Sequence, residues 1–371
     1  MNPYGFDTTP SCVRVMGKTF MKTVCISALA LIMFIGCRQD AAPVRPWHQA
    51  LYAAECPDFN CYDEVERVLP LLMKTRTDIY IAIPSWKIGD PSLKSLLISA
   101  KANGVGVRAW ILLPQDKGYW PNEKNVEEFS KAVMNFVNWS DTESLGVSWI
   151  VVDLEPSFDY TQKFSDLLAH AQISEALALL KSHTDPKTYS ESKEKFRSLI
   201  SELHGRGWKV LAVTYPMILD DLADGDEGLQ DALDIPCSGL DWDNISFMAY
   251  LSTFQSFVPD PVGADLVYSY AKDARKYFGD RGGIALGVVG PGGVAENQIP
   301  VYKEPGLLRR DFGATMLGGI REIQVYSLEG ILALKSPEDW LGIYTAPQVV
   351  PRGETATQMV RGIMTSLDSS L

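Results

Sequence analysis

From residue 49 onward, short apolar runs rich in β-branched and aromatic residues alternate with longer stretches whose apolar positions recur at helical spacing. The runs predict strands at 50–55, 79–84, 107–113, 149–154, 210–215, 245–251, 284–289 and 323–327. Helices are predicted between them at 63–74, 91–103, 126–139, 162–181 with 191–204, 226–233, 264–278, 306–317 and 337–343. Pro91 stands just inside the start of its helix and Gly104 just past the end, the favoured order of helix-start and helix-stop residues. Trp149-Ile150-Val151-Val152 reads as a parallel strand buried on both faces, whereas the first run, Ala50-Leu51-Tyr52-Ala53-Ala54, has no β-branched residue. An open doubly wound sheet usually has fewer such units. Eight of them predict an α/β protein with a single (β/α)8 TIM barrel over 48–345. The pair of helices after strand four forms a helical insertion with a polar turn at 181–190, and 346–371 is a C-terminal extension. No Gly/Ser-rich linker divides the alternation.

The segment ahead of the barrel has a different pattern. Met21-Lys22 precede an apolar run at 24–35, which is shorter than the roughly 20 residues a bilayer span needs and has the length of a signal-peptide core. Its end, Phe34-Ile35-Gly36-Cys37, resembles the lipobox of bacterial lipoproteins, with Phe34 where Leu is usual. The resemblance implies a signal peptide over 1–37, a lipid-modified Cys37, a tether over 38–47, and an exported protein anchored to a bacterial membrane. Residues 1–20 hold Asp7 and Pro10 and no apolar run, so translation is expected to start at Met16 or Met21.

Composition narrows the function classes. Hydrophobic residues at 46% supply a large core, and a net charge of -12 excludes the concentrated basic surface that nucleic acid requires. Cys56 and Cys61 are spaced for a small disulfide loop in an oxidising compartment, while Cys237 reads as a buried small hydrophobe. C-x4-C without a nearby His, and four scattered histidines (His48, His170, His183, His204), make neither a metal site nor a triad. No cofactor or metal is expected.

Active sites of this barrel lie at the C-terminal strand ends. Those ends carry Glu55 on strand one, Ser85-Trp86 on two, Asp153-Leu154-Glu155 on four and Tyr215 on five. Strand six ends in Met248-Ala249-Tyr250 and strand eight in Tyr326-Ser327-Leu328-Glu329. Asp153 and Glu155, two apart on a strand, share one side. Crowding two carboxyls together raises the pKa of at least one, which suits a general acid. Trp86, Trp120, Trp242 and Tyr215 are candidate sugar-stacking rings, whereas Trp110 lies mid-strand and reads as core. The glycine-rich run 287–293 has no attached Lys or Ser and reads as a turn more readily than as a phosphate site.

The run 149–155 resembles the end of the D-x-x-D-x-D-x-E motif on strand four of chitinase-type family 18 glycoside hydrolases, and Met248-Ala249-Tyr250 resembles the M-x-Y part of that family's strand-six motif. The resemblance implies retaining cleavage of an N-acetylhexosamine-containing glycan. Glu155 would protonate the glycosidic oxygen while Asp153 and Tyr250 position the acetamide that acts as nucleophile. The sequence departs from the pattern at Ser148 and Val151, where the family has Asp, and at Leu251, where Asp follows the Tyr. Tyr326 stands in for the strand-eight Trp that floors the sugar site. The lysozyme-type family 25 also carries D-x-E here, but its N-terminal strand Asp is absent. Two alternatives stay open: a two-carboxylate glycosidase pairing Glu155 with Glu329 or Glu55, and an inactive barrel that binds glycans at a membrane surface.

Overall fold

The computed structural model describes residues 49–55, 61–255, 257–290, 302–343 and 352–371. The expected signal peptide, lipobox and tether lie outside these residues, as do Cys56 and the 291–293 part of the glycine-rich run.

Eight parallel strands close into a barrel in sequence order. They are β1 (Gln49–Ala54), β2 (Asp78–Pro84), β3 (Val107–Leu112), β4 (Trp149–Leu154), β5 (Lys209–Thr214), β6 (Asn244–Met248), β7 (Gly282–Gly287) and β8 (Glu322–Tyr326). Closure is made by β1 on β8, where Ala53 sits opposite Tyr326. Outside the barrel run α1 (Tyr62–Lys74), α2 (Pro91–Asn103) and α3 (Val126–Glu143). After β4 come α4 (Phe158–Ala169), α5 (Ile173–His183) and α6 (Pro186–Gly205). The rest are α7 (Ile218–Asp224), α8 (Gly228–Ala232), α9 (Leu251–Gln255), α10 (Ala264–Phe278), α11 (Pro305–Leu317), α12 (Leu328–Leu332) and α13 (Thr355–Asp368). No described helix is long and apolar enough to cross a membrane.

Each strand faces two cores, as the period-two geometry of a strand demands. On β4, Ile150, Val152 and Leu154 face the helices, while Trp149 and Val151 point into the barrel. The inner core stacks Leu51, Ala53, Tyr80, Trp110, Leu112, Leu211 and Val213 against them. Its floor is polar and self-satisfied. Arg108 makes two hydrogen bonds to Glu322, at 3.0 and 3.1 Å, and stacks 4.0 Å over the Trp149 ring. The Gln324 amide donates to Glu322 at 2.9 Å, and Ser246 donates to Gln324.

The insertion differs from its predicted form. The stretch expected as one helix breaks into α4 and α5 where Ala171 takes φ +55° without a glycine to announce it. The polar turn expected at 181–190 shrinks to Thr184-Asp185, because Asp185 accepts from the Lys187 and Thr188 amides and Pro186 sits at the first helical position. The helix expected at 226–233 shortens to α8, and α7, which the pattern did not predict, precedes it and ends at Gly225 with φ +95°. The last predicted helix is only a 3-10 turn, Pro337–Asp339.

Strand seven begins two residues earlier than the apolar pattern predicts, because Gly282 and Gly283 are strand residues. A Cβ at Gly282 would lie 2.7 Å from the Ala274 carbonyl oxygen, so close packing of α10 selects the glycine. At the C-terminus, Val360, Met364 and Leu367 of α13 are buried. Arg361 ties α13 to Asp220 on α7 and Asp273 on α10, each at 2.7 Å. The Asp265 carboxylate accepts the backbone amides of Arg352, Gly353 and Glu354.

Candidate active site

The C-terminal strand ends open into a cavity of about 640 Å³. Its floor carries Glu55, Tyr80, Trp110, Asp153, Glu155, Tyr250 and Tyr326, and Tyr215 forms part of the wall. Asp153 and Glu155 therefore project together from the end of β4, and the carboxyl from β1 and the phenols from β5, β6 and β8 converge on them.

Each carboxyl has a distinct setting. Glu155 accepts a hydrogen bond from the Tyr215 hydroxyl at 2.6 Å. Burial pushes its pKa up to about 7; the Tyr215 hydrogen bond opposes that rise, and the charge of Glu55 adds to it. Asp153 is raised well above the carboxylate range, first by burial and then by the charges of Glu155 and Glu55. The Trp110 indole N–H faces Asp153 and partly offsets the rise. Even so, Trp110 Nε1 and Asp153 Oδ1 lack a partner in hydrogen-bond geometry, although both residues are about 95% buried (4% and 5% exposed). Buried donors and acceptors left open in this way are uncommon, and a catalytic role is one of the reasons a protein keeps them.

Glu55 is built as a fixed acceptor. Tyr119 donates to one carboxylate oxygen at 2.8 Å and Tyr326 to the other at 2.5 Å. Glu329 lies behind it, accepting the Glu55 backbone amide at 3.3 Å, and does not line the cavity. Burial likewise pushes Glu329 up to about 7. The Tyr250 ring stacks on Tyr326 with centroids 5.8 Å apart. Gly287 makes room for it, since a Cβ there would lie 2.9 Å from the Tyr250 ring. Burial holds the phenols of Tyr215, Tyr250 and Tyr326 well above their usual pKa, so all three are hydrogen-bond donors at neutral pH.

The aromatic residues sort differently from their sequence positions. Trp86 occupies a 3-10 turn, Ser85–Lys87, with half its surface exposed, and is no part of the cavity wall. Trp242 is buried among the outer helices with its indole N–H on the Cys237 carbonyl. Trp120 lines the cavity as expected, stacked on Phe158 at 5.9 Å. Trp110, read from sequence as core, is buried inside the barrel and also lines the cavity. The sequence reading missed Tyr80 and Tyr119, and only the alternation of Tyr80 with Ile79 and Ile81 hinted that it faces inward. Cys61 is disulfide-bonded, and Cys237 is a buried free thiol.

No family model and no curated protein matches the chain. Among solved structures it is similar to the PgaB (BpsB) glycoside hydrolase domain from Bordetella bronchiseptica, at 13% identity over 81% of this chain and 100% of that one, with a TM-score of 0.47. It is also similar to D-allulose 3-epimerase from Methylomonas sp., at 12% identity over 80% and 95% of the two chains, TM-score 0.44. A xylose isomerase domain containing protein from Salmonella typhimurium LT2 matches at 10% identity over 79% and 94%, TM-score 0.41. At such identities and scores the likenesses add nothing to the barrel that the strand pairing already defines, and the site stands on its own geometry.

Proposed function

We propose that this cavity is the active site of a glycoside hydrolase that cleaves an N-acetylhexosamine-containing glycan with retention, Glu155 serving as general acid and then base. One observation carries the reading: Glu155, with a pKa near 7, stands beside an Asp153 whose buried Oδ1 lacks a hydrogen-bond partner, as does the neighbouring Trp110 N–H. A secondary amide brings an N–H donor, which complements the open Asp153 oxygen. Asp153 accepts the acetamide N–H. The acetamide carbonyl accepts from the Tyr250 phenol through one lone pair and keeps the other for attack. Held so, the carbonyl oxygen attacks the anomeric carbon as Glu155 gives its proton to the departing glycosidic oxygen. Water then opens the resulting ring with Glu155 as base. No second carboxylate nucleophile is needed in this scheme.

Glu55 supports a second reading. It lines the same cavity, is fixed by two phenols, and couples electrostatically to Glu155. Here Glu55 serves as the carboxylate partner of Glu155 and the acetamide is a bystander. Glu329, outside the cavity wall, is the weaker partner.

Hydrolysis of aryl N-acetylglucosaminides, chitin oligomers and peptidoglycan fragments tests both. The acetamide mechanism expects E155Q to lose at least about a hundredfold in turnover, the usual share of a general acid. It also expects D153N to lose more than E55Q; the reverse order selects the two-carboxylate mechanism. An inactive parent that binds these glycans as well as E155Q does overturns catalysis and leaves a glycan-binding barrel.

The same proposal places the protein outside the cytoplasm, held to a membrane by a lipid on Cys37. The lipobox resemblance and the disulfide at Cys61 support export, since disulfides persist in oxidising compartments. Radiolabelled fatty acid incorporated by the parent and lost in C37A tests it; equal labelling of both refutes it.

A further inference from the structure

The cavity does not end at the carboxyls. Its wall continues from Glu155 at the end of β4 to Leu168 in the last turn of α4. The ten helical steps from Phe158 to Leu168 span about 15 Å. Along this stretch Tyr160, Phe164 and Leu168, spaced four apart, form the buried stripe of α4, and all three line the cavity. Met217, Leu233 and Phe254 line it too, and each is also a buried residue of the outer core. Tyr160 adds no polar group here, because its hydroxyl is bound to the Ala232 carbonyl at 2.6 Å and its ring stacks on His183. Thr161, Gln162 and Ser165 of the same helix also border the cavity but are more exposed, which leaves its buried wall apolar.

An amphipathic helix normally spends its apolar stripe on packing against the protein. Here part of that stripe faces open space, and an unfilled apolar cavity forfeits dispersion contacts on every lining atom. An apolar group that fills the space recovers those contacts. Hexosamine hydroxyls have no such use for Leu168, Met217 or Leu233, since buried hydroxyls need partners.

We infer that the ligand is amphiphilic: an N-acylated hexosaminide whose head sits at Glu55, Asp153 and Glu155 and whose hydrocarbon tail, an acyl chain or lipid aglycone, runs along α4 to Leu168. The head assignment rests on the glycosidase reading above; the tail rests on the α4 wall alone.

The test is calorimetric titration of the full-length E155Q chain with methyl, butyl, hexyl and octyl N-acetylglucosaminides. Each buried methylene is expected to lower Kd by up to about fourfold. L168E, checked for native folding by circular dichroism, is expected to flatten the series. Turnover of the same glycosides by the parent gives the second readout, with kcat/KM rising along the chain length. A Kd indifferent to chain length overturns the inference, and so does a length dependence that persists in L168E. Should L168E not fold, displacement of octyl glycoside by free octanol decides, and failure of octanol to compete overturns the inference. Chain-length-dependent binding without hydrolysis by the parent would retain the tail site and refute the glycosidase reading; hydrolysis indifferent to chain length would do the opposite.

Discussion

Removing the Tyr215 hydroxyl should move the pH dependence of catalysis rather than abolish it. That hydroxyl donates to Glu155 at 2.6 Å and holds the pKa of Glu155 below what burial alone would give. A hydrogen bond to an ionised group is worth about 1.5–3 kcal/mol, or roughly one to two pKa units. From a starting pKa of about 7, Y215F should therefore carry Glu155 to about 8–9. With a pKa near 7 the parent's acid is about 90% protonated at pH 6 and about 10% at pH 8. Its kcat/KM should fall about tenfold over that interval. In Y215F the acid remains about half protonated or more at pH 8, so the fall should shrink to about twofold or less. The assay is kcat/KM for an aryl N-acetylglucosaminide from pH 5 to 9.5. A direct check is the Glu155 carboxyl band in infrared titration, identified by its loss in E155Q. A descending limb that stays in place, or moves to lower pH, would refute the assignment of Tyr215 as a donor to the catalytic acid.

Other consequences follow from the same geometry. R108M leaves Glu322 buried without its cation, so it should cost about 3–5 kcal/mol in denaturant unfolding; a loss under about 1 kcal/mol would mean that Gln324 and water satisfy the carboxylate. G287A drives a Cβ toward the Tyr250 ring, 2.9 Å away, and should lower turnover at least tenfold while the melting temperature shifts by only a few degrees. Unchanged kinetics in that variant would remove Tyr250 from the acetamide site. Glu155 and Glu329, both raised to about 7 from an ordinary value of 4.5, bind more protons folded than unfolded between those limits. Their contribution to stability is full below about pH 4.5 and is lost as pH rises through 7. Melting scans at pH 5.5 and 7.5 should thus give the higher midpoint at pH 5.5, and in the double variant E155Q/E329Q the difference should narrow. A higher midpoint at pH 7.5 would contradict the buried setting of these acids.

The barrel and the D-x-E pair were legible in the sequence because both depend on local periodicity. A strand alternates every two residues, so Trp149, Val151, Asp153 and Glu155 must share one face whatever surrounds them. The helix stops that went unread are also local in origin but lack a fixed residue signature: Ala171 takes a left-handed turn that the sequence does not mark. What tertiary structure alone decided is which side chains meet across the barrel. Tyr326 reaches Glu55 across 271 residues, Tyr215 reaches Glu155 across 60, and Arg108 meets Glu322 across 214. The open Trp110 N–H, the exclusion of Trp86 and Glu329 from the cavity, and the apolar arm beneath α4 belong to the same class. Periodicity states which way a residue points; barrel closure and helix placement fix what it points at, and the acid's pKa and the ligand's shape depend on that second fact.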